Sequence, residues 1–378
     1  MGKFINSKKE IFLGERFFKV ETQPDEYDGS VYRKAKSAFW ASHGFDVSAM
    51  YANFYSHFSG IESDKYFSDD LYYFYALPTL NRQDFMWAYT DKNIADQVFR
   101  GFRQPETILK NVNGIFVDKD GEVVSKNEAM QICLDHNASC IVKPTVNGGS
   151  GVGVAKVNLK SHAEVEDLFN QRRANYIIQR VLKQHSDMAS LNDSSVNTIR
   201  IFTYRDLKGV IHYVKGHSFI RFGKKGAAMD NVAAGGVLCS IDDNGIASDK
   251  YAGFNTMALQ SLSENFGIVN FKVPSFDKAV DFAKRLHGRL FYFDYVGWDI
   301  AIGEDGEPVY MEFNLQPTTE GDQMASGPSF GEFLDEVVER MKHVEKSEVI
   351  FSRRYFRPGF DHLLQIGGPD LHNWLPQG

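Results

Sequence analysis

A chain of 378 residues can divide into two or three domains, and its 43% apolar and 24% charged content is that of an ordinary globular protein. A formal net charge of −7 excludes nucleic-acid binding through a broadly basic surface, which needs cations to displace counterions. No stretch approaches the roughly 20 apolar residues of a membrane span, and three cysteines without metal spacing point to a reducing compartment.

Residues 31–101 carry apolar side chains at helical spacing, as at Met50, Phe54 and Phe58, and are dense in aromatics, among them Tyr72, Tyr73, Phe74 and Tyr75. These rings are expected to fill a core rather than to stack on a sugar. After Pro105 short strands and helices alternate. Residues 114–125 read as a hairpin around Asp120-Gly121, and 125–137 as a helix opened by the capping box Ser125-x-x-Glu128. A strand over 139–143, a glycine-rich loop, a strand over 151–157, a helix capped by Ser161 and Glu164, and a strand over 176–179 complete this unit. Longer strands are expected over 196–204, 210–221 and 236–241, then a helix over 275–290. A last helix is expected to be capped by Ser329 and Glu332, with Phe330, Phe333, Leu334, Val337 and Met341 as its apolar stripe. The reading is α+β with an antiparallel bias. Divisions are expected at 1–104 (helical), 105–190, 191–345 and a tail at 346–378, whose run 351–357 is basic and aromatic and reads as a docking tail. The N-terminus shows no apolar core of signal-peptide length, so the protein is expected in the cytoplasm.

Between the last two helices, residues 297–317 read as a hairpin turning at Glu304-Asp305-Gly306-Glu307. If Glu304 faces Glu307, counting outward sets Ile302 against Val309, Ile300 against Met311 and Asp299 against Glu312. Asn314 falls on the face of Glu312, two residues on. Two carboxylates set opposite each other repel unless a positive charge lies between them, and oxygen-bearing side chains of this kind suit Mg²⁺. Ile300, Ile302, Val309, Met311 and Phe313 are then expected to bury the other face.

In the loop after Lys143, Gly148, Gly149, Gly151 and Gly153 crowd one strand connection. Glycines let backbone N–H groups approach phosphate oxygens, and a lysine beside them complements the same anion. No Gly-Lys-Ser/Thr follows, so this is not a P-loop, and the spacing also fails the dinucleotide fingerprint.

The order of these motifs from Asp91 to Met341 resembles the ATP-grasp superfamily, and within it the sugar-transfer-associated branch. Asp91-Lys92 followed by Pro105, Lys143-Pro144, the stretch Tyr176 to Leu182, Ser195-Val196-Asn197-Thr198-Ile199-Arg200, Arg221, and Asp230-Asn231 through Gly235-Gly236 carry the likeness, with Asp299, Glu312 and Asn314 matching a metal-binding triad. The resemblance implies two α+β subdomains clamping ATP, preceded here by a helical, aromatic-rich region.

It further implies phosphate contacts from Lys92, Lys143, Asn147, Gly148, Gly149, Ser150 and Gly151. Adenine would meet Gln179, Arg180 and Leu182, with Gln179 replacing a frequent glutamate, and Asp187 is the nearest acid for the ribose. Arg200 and Arg221 would stabilise the transferred phosphoryl group and oxyanion, and Asn231, Gly235 and Gly236 would line the acyl site. The triad would hold one or two Mg²⁺ ions, with Mn²⁺ as a substitute.

The implied reaction is ATP-dependent carboxylate–amine ligation through an acylphosphate, on small-molecule or sugar-linked substrates in surface-polysaccharide assembly. A phosphotransferase acting on a hydroxyl and a non-catalytic nucleotide-binding protein are the alternatives. His212 and His217 lie five apart on one expected strand and so point to opposite faces, unsuited to a shared metal.

Overall fold

The computed structural model describes residues 36–68, 71–146, 153–223, 236–253 and 258–343. Two antiparallel sheets dominate it. The smaller orders its strands β3-β2-β1-β6-β4-β5, comprising β1 (Thr107–Val112), β2 (Ile115–Asp118), β3 (Val123–Val124), β4 (Ser139–Pro144), β5 (Ala155–Asn158) and β6 (Tyr176–Arg180). The larger contains β7 (Thr198–Arg205), β8 (Ile211–Tyr213), β9 (Ser218–Phe222), β10 (Val237–Ile241), β11 (Ala247–Gly253), β12 (Ala258–Ser261), β13 (Tyr295–Ile302) and β14 (Pro308–Asn314). Its order is β12-β11-β10-β9-β7-β13-β14, with β8 added to β7.

The small sheet is backed by helices Lys126–His136 and His162–Arg172 over a core that includes Cys133, Cys140, Val142, Val165 and Phe169. Both helices start where the sequence signals them. Ser125 accepts from the Glu128 N–H while the Glu128 carboxylate accepts from the Ser125 N–H, and Ser161 accepts from the Glu164 N–H.

The large sheet has two covered faces. One packs Ile199, Ile201, Trp298 and Ile300 against helix Phe276–His287. The other packs Phe202, Tyr204, Phe219 and Tyr295 against Trp40, Phe67, Tyr72, Phe330 and Val337, so the N-terminal helices share one core with the last helix, Leu334–Met341. Tyr72 and Tyr73 are buried in that core, and the Tyr72 hydroxyl donates to the Pro317 carbonyl at 2.7 Å.

Two expected elements differ. The run 210–221 is not one strand, because Gly216 turns the chain at φ +73° between β8 and β9. This turn also separates the two histidines. His212 pairs with Asp206, whereas His217 is buried with its Nδ1 2.8 Å from the carboxylate of Asp322, itself fully buried. The last helix begins at Leu334 and not at a Ser329 cap. The Ser329 hydroxyl donates to Asp322 at 2.7 Å instead, and Phe330 takes a left-handed φ of +73° before a short 3₁₀ turn over Gly331–Phe333. A buried carboxylate seeking donors outcompetes a helix end that can be solvated. Strands β11 and β12 pass without a sequence signal.

The three thiols are buried, and burial pushes each up to about 12. Native protein should therefore leave Cys133, Cys140 and Cys239 unmodified by a thiolate-specific reagent at pH 8, with all three reacting after denaturation. Rapid native labelling of any of them would contradict this packing.

Behind the large sheet, the Trp298 indole N–H donates to Thr203 Oγ1 at 2.8 Å, and Thr203 Oγ1 lies 2.7 Å from His287 Nδ1. The other ring nitrogen, Nε2, is 2.8 Å from the Phe293 carbonyl and so carries the proton. Burial holds His287 neutral and lowers its pKa to about 3. An unfolded histidine near 6.5 takes up a proton that the folded one refuses, so stability is full above pH 6.5 and is lost as pH falls below it. Between pH 7 and 5 this site should cost about 2 kcal/mol, and the His287→Gln protein should show a drop smaller by that amount in urea titrations. Equal drops would contradict the assignment.

Candidate active site

The hairpin β13–β14 does set Asp299 directly opposite Glu312. Its inner half does not follow the expected count. A bulge at Met311 shifts the register, so Ile300 pairs with Tyr310, Ala301 with Val309 and Ile302 with Pro308. Tyr310 and Phe313, with Trp298, Ile300 and Ile302, supply the buried apolar face, whereas Val309 pairs with Ala301 on the other and Met311 occupies the bulge.

Register across the sheet then builds a lattice of side chains on one face. Asp299 pairs with Glu312 on one side and Arg200 on the other, and Arg200 pairs with Phe219. One row on, Gly297 lies between Asn314 and Phe202. In the opposite direction Thr198 pairs with Arg221. The Arg200 guanidinium grips Asp299 through Nε at 2.6 Å and Nη2 at 3.1 Å, while Arg221 Nη2 reaches the same carboxylate at 2.9 Å and donates to Thr198 Oγ1 at 2.9 Å. Asp299 is 2% exposed. Burial alone would raise its pKa, but the two arginines outweigh that and hold the carboxylate below its usual range.

Gly297 is closely packed in this arrangement. A Cβ there would come within 3.1 Å of Pro317, 3.2 Å of Phe202 and 3.3 Å of the Arg200 side chain. The missing side chain gives Arg200 its path along the sheet.

Lys92 opens helix Lys92–Val98, which Asp91 caps by accepting from the Asn93 N–H. That helix bridges the two sheets. The Lys92 N–H donates to the Thr145 carbonyl at 3.1 Å, two residues past Lys143 at the end of β4. Its ammonium reaches Glu312 on β14 at 2.8 Å. One turn along, Asp96 forms a buried ion pair with Lys110 of β1 and accepts from Thr107 at 2.8 Å, while Ala95 and Phe99 enter the core of the large sheet.

The other expected residues fall as follows. Gln179 is buried on β6 and donates to the Pro105 carbonyl at 3.4 Å, whereas Arg180 is exposed and pairs with Glu106 at 2.6 Å. Leu182 is partly exposed just beyond. Asp187 lies exposed in the first turn of helix Ser186–Leu191, its N–H donating to His185 Nδ1. Gly236 is buried just before β10. Asn147, Gly148, Gly149, Ser150, Gly151, Asn231 and Gly235, and the run 351–357, lie outside the described residues.

Sequence reading passes over Asp96 and Lys110 and takes in Thr198 and Gly297 only as members of longer motif stretches. A cavity of about 600 Å³ lies elsewhere, lined by Ile211, Lys278, Asp281, Lys284, Arg285, Glu307 and Pro308 and by none of the site residues.

Among the described residues no cluster of three or more His, Cys, Asp or Glu side chains could hold a metal, so an ion here would rest on two carboxylates, one amide, solvent and ligand oxygens. Such a hard, incomplete oxygen set suits Mg²⁺. The Asn314 Nδ2 is buried without a hydrogen-bond partner among the described residues, an orphan donor that a ligand oxygen would satisfy. The residues present therefore fit a phosphate-bound divalent cation.

Two antiparallel sheets backed by helices and joined by a lysine-bearing helix, with a facing acid pair on one of them, are the arrangement of an ATP-grasp fold. The model of the sugar-transfer associated ATP-grasp family matches residues 75–339, more than half of the chain, and the protein belongs to that family. Solved structures similar to it include the ATP-grasp ligase PsnB complexed with minimal precursor, at 16% identity and TM-score 0.38 over 67% of this chain and 61% of that one. D-alanine–D-alanine ligase from Bacillus anthracis matches at 17% identity and TM-score 0.37, over 68% of this chain and 69% of that one. Biotin carboxylase from Campylobacter jejuni matches at 11% identity and TM-score 0.40, over 68% of this chain and 46% of that one. The chain spans about three fifths of the length of the PsnB structures it matches. No curated protein matches it. Among the described residues no helix is long and apolar enough to cross a membrane.

Proposed function

We propose that the protein is an ATP-dependent carboxylate–amine ligase. The observation that carries the reading is the Lys92–Glu312 contact beside the Arg200–Asp299–Arg221 cluster, which brings one cation from the bridging helix and two from the large sheet to one acidic hairpin. In this reading Lys92 and Lys143 bind the α- and β-phosphates, and the loop from Asn147 to Gly151 covers the β- and γ-phosphates. Gln179, Arg180 and Leu182 border the adenine and Asp187 the ribose. Asp299, Glu312 and Asn314 hold one or two Mg²⁺ ions. The metal supplies charge neutralisation as the γ-phosphoryl group transfers.

The substrate carboxylate oxygen attacks the γ-phosphorus and ADP leaves. An amine then attacks the acyl carbon, loses a proton, and expels inorganic phosphate to leave an amide. In this reading Arg200 and Arg221, both held by Asp299, counter the charge that develops on the phosphoryl oxygens and on the tetrahedral oxyanion. Asn231, Gly235 and Gly236 line the acyl site. The divisions 1–104, 105–190, 191–345 and 346–378 assign the helical region, the two halves of the clamp and a tail. The family is described as sugar-transfer associated, and in this reading the substrates belong to sugar or polysaccharide assembly, such as a uronic acid joined to an amino acid, with the reaction in the cytoplasm.

Hydroxylamine tests the intermediate. A pool of uronates and other sugar acids incubated with Mg-ATP and hydroxylamine should give a hydroxamate together with ADP and phosphate. A phosphorylated hydroxyl compound without hydroxamate would replace this reading with a phosphotransferase.

A further inference from the structure

We propose that Asn81, in the N-terminal helical region, is a positioning residue that fixes Asn314 on the acidic hairpin. The inference rests on the reading of Asn314 as a metal ligand given above. Asn81 directly follows helix Leu77–Leu80 and is 1% exposed. Its side-chain amide is spent on the hairpin and the residue before it. Nδ2 donates to the Tyr295 and Leu315 carbonyls, both at 2.7 Å, and Oδ1 accepts from the Asp294 and Tyr295 N–H groups at 2.9 Å and 3.0 Å. An asparagine amide offers two donors and two acceptor lone pairs, so all four are satisfied and the amide can point only one way.

These partners are the two strand ends that bracket Asn314. Strand β13 begins at Tyr295, β14 ends at Asn314, and the last pair between them is Gly297 with Asn314. Beyond that pair the ladder stops, and the Asn81 side chain takes over as the tie between the strands. The Asn314 Nδ2 has no hydrogen-bond partner among the described residues, so its direction depends on the backbone that carries it.

The chain beyond Asn314 is held from the same region. Gln83 donates to the Asn81 carbonyl at 2.9 Å and accepts from the Gln316 amide at 2.6 Å, and the Tyr72 hydroxyl donates to the Pro317 carbonyl at 2.7 Å. Asn81, Gln83 and Tyr72 thus brace 315–317 in turn. Directional bonds of this kind fix a backbone more narrowly than apolar packing does.

A residue that served stability alone would lower the melt and leave ligand affinity unchanged well below it. Positioning predicts a separate effect on the metal-dependent part of binding. The test is calorimetry of a non-hydrolysable ATP analogue, with Mn²⁺ and in EDTA, for wild type, Asn81→Ala, Asn314→Ala and the double variant. Asn81→Ala should weaken binding about tenfold with Mn²⁺ and at most about twofold in EDTA. In the Asn314→Ala background the same substitution should add little, because the side chain it positions is gone. Tyr72→Phe removes one hydroxyl from the brace and should reduce the gain from Mn²⁺ about threefold. Equal losses with and without Mn²⁺ in Asn81→Ala, or losses that simply add in the double variant, overturn the proposal. Where Asn81→Ala fails to fold, Tyr72→Phe decides, and a gain from Mn²⁺ equal to wild type overturns it. If Asn314→Ala itself keeps the wild-type gain from Mn²⁺, the metal reading beneath the proposal fails instead.

Discussion

Glu312→Gln is expected to lower turnover by about a hundredfold or more, while the thermal melt of the ligand-free protein stays within a degree or two of wild type. The substitution keeps size and one carbonyl oxygen but removes the charge that the proposed metal would share with Asp299. Stability is spared because the Glu312 side chain is 44% exposed and its ion pair with Lys92 is partly open to solvent. Turnover close to wild type would remove Glu312 from the metal site. A collapse of the melt would show that the Lys92 contact holds the two sheets together, a structural role instead of a chemical one.

The second large effect is on stability. Arg200→Leu should destabilise the ligand-free protein by about 3 kcal/mol, because it strips the bidentate partner from a carboxylate that is 2% exposed and leaves only Arg221 to compensate it. Adding Asp299→Asn to Arg200→Leu should restore most of that loss, since the uncompensated buried charge and not the missing contact carries the cost. Urea unfolding of the two single variants and the double variant measures the coupling. Additive effects would mean that the guanidinium and carboxylate do not depend on each other, contrary to the 2.6 Å and 3.1 Å hydrogen bonds between them.

Local signals in the sequence were enough to find the parts of this site that lie on one hairpin. Counting from Asp305-Gly306 places Asp299 opposite Glu312, although the bulge at Met311 falsifies the inner pairs, because a bulge leaves no compositional trace. The Ser-x-x-Glu pattern marks the caps Ser125 and Ser161, with the full reciprocal box at Ser125, because these caps are local hydrogen bonds between residues three apart. The same pattern fails at Ser329, where Asp322 claims the hydroxyl.

What the sequence conceals is long-range register. Arg200 lies 99 residues from Asp299, and only the pairing of β7 with β13 brings the two together. Lys110 sits between Leu109 and Asn111 in a strand where Thr107 and Asn111 are also buried, and its partner Asp96 is on a helix before it. Nothing in either segment announces a buried ion pair.

The central claim is that one active site joins a carboxylate to an amine at the expense of ATP. Mass spectrometry of reactions containing the protein, Mg-ATP, a pool of sugar acids and a pool of amino acids and amino sugars tests it most directly, with ADP and free phosphate followed in the same samples. The account predicts a product lighter than its two precursors by one water, appearing in step with equal ADP and phosphate. A product heavier than a single precursor by one phosphoryl group, with ADP but no free phosphate, would contradict it.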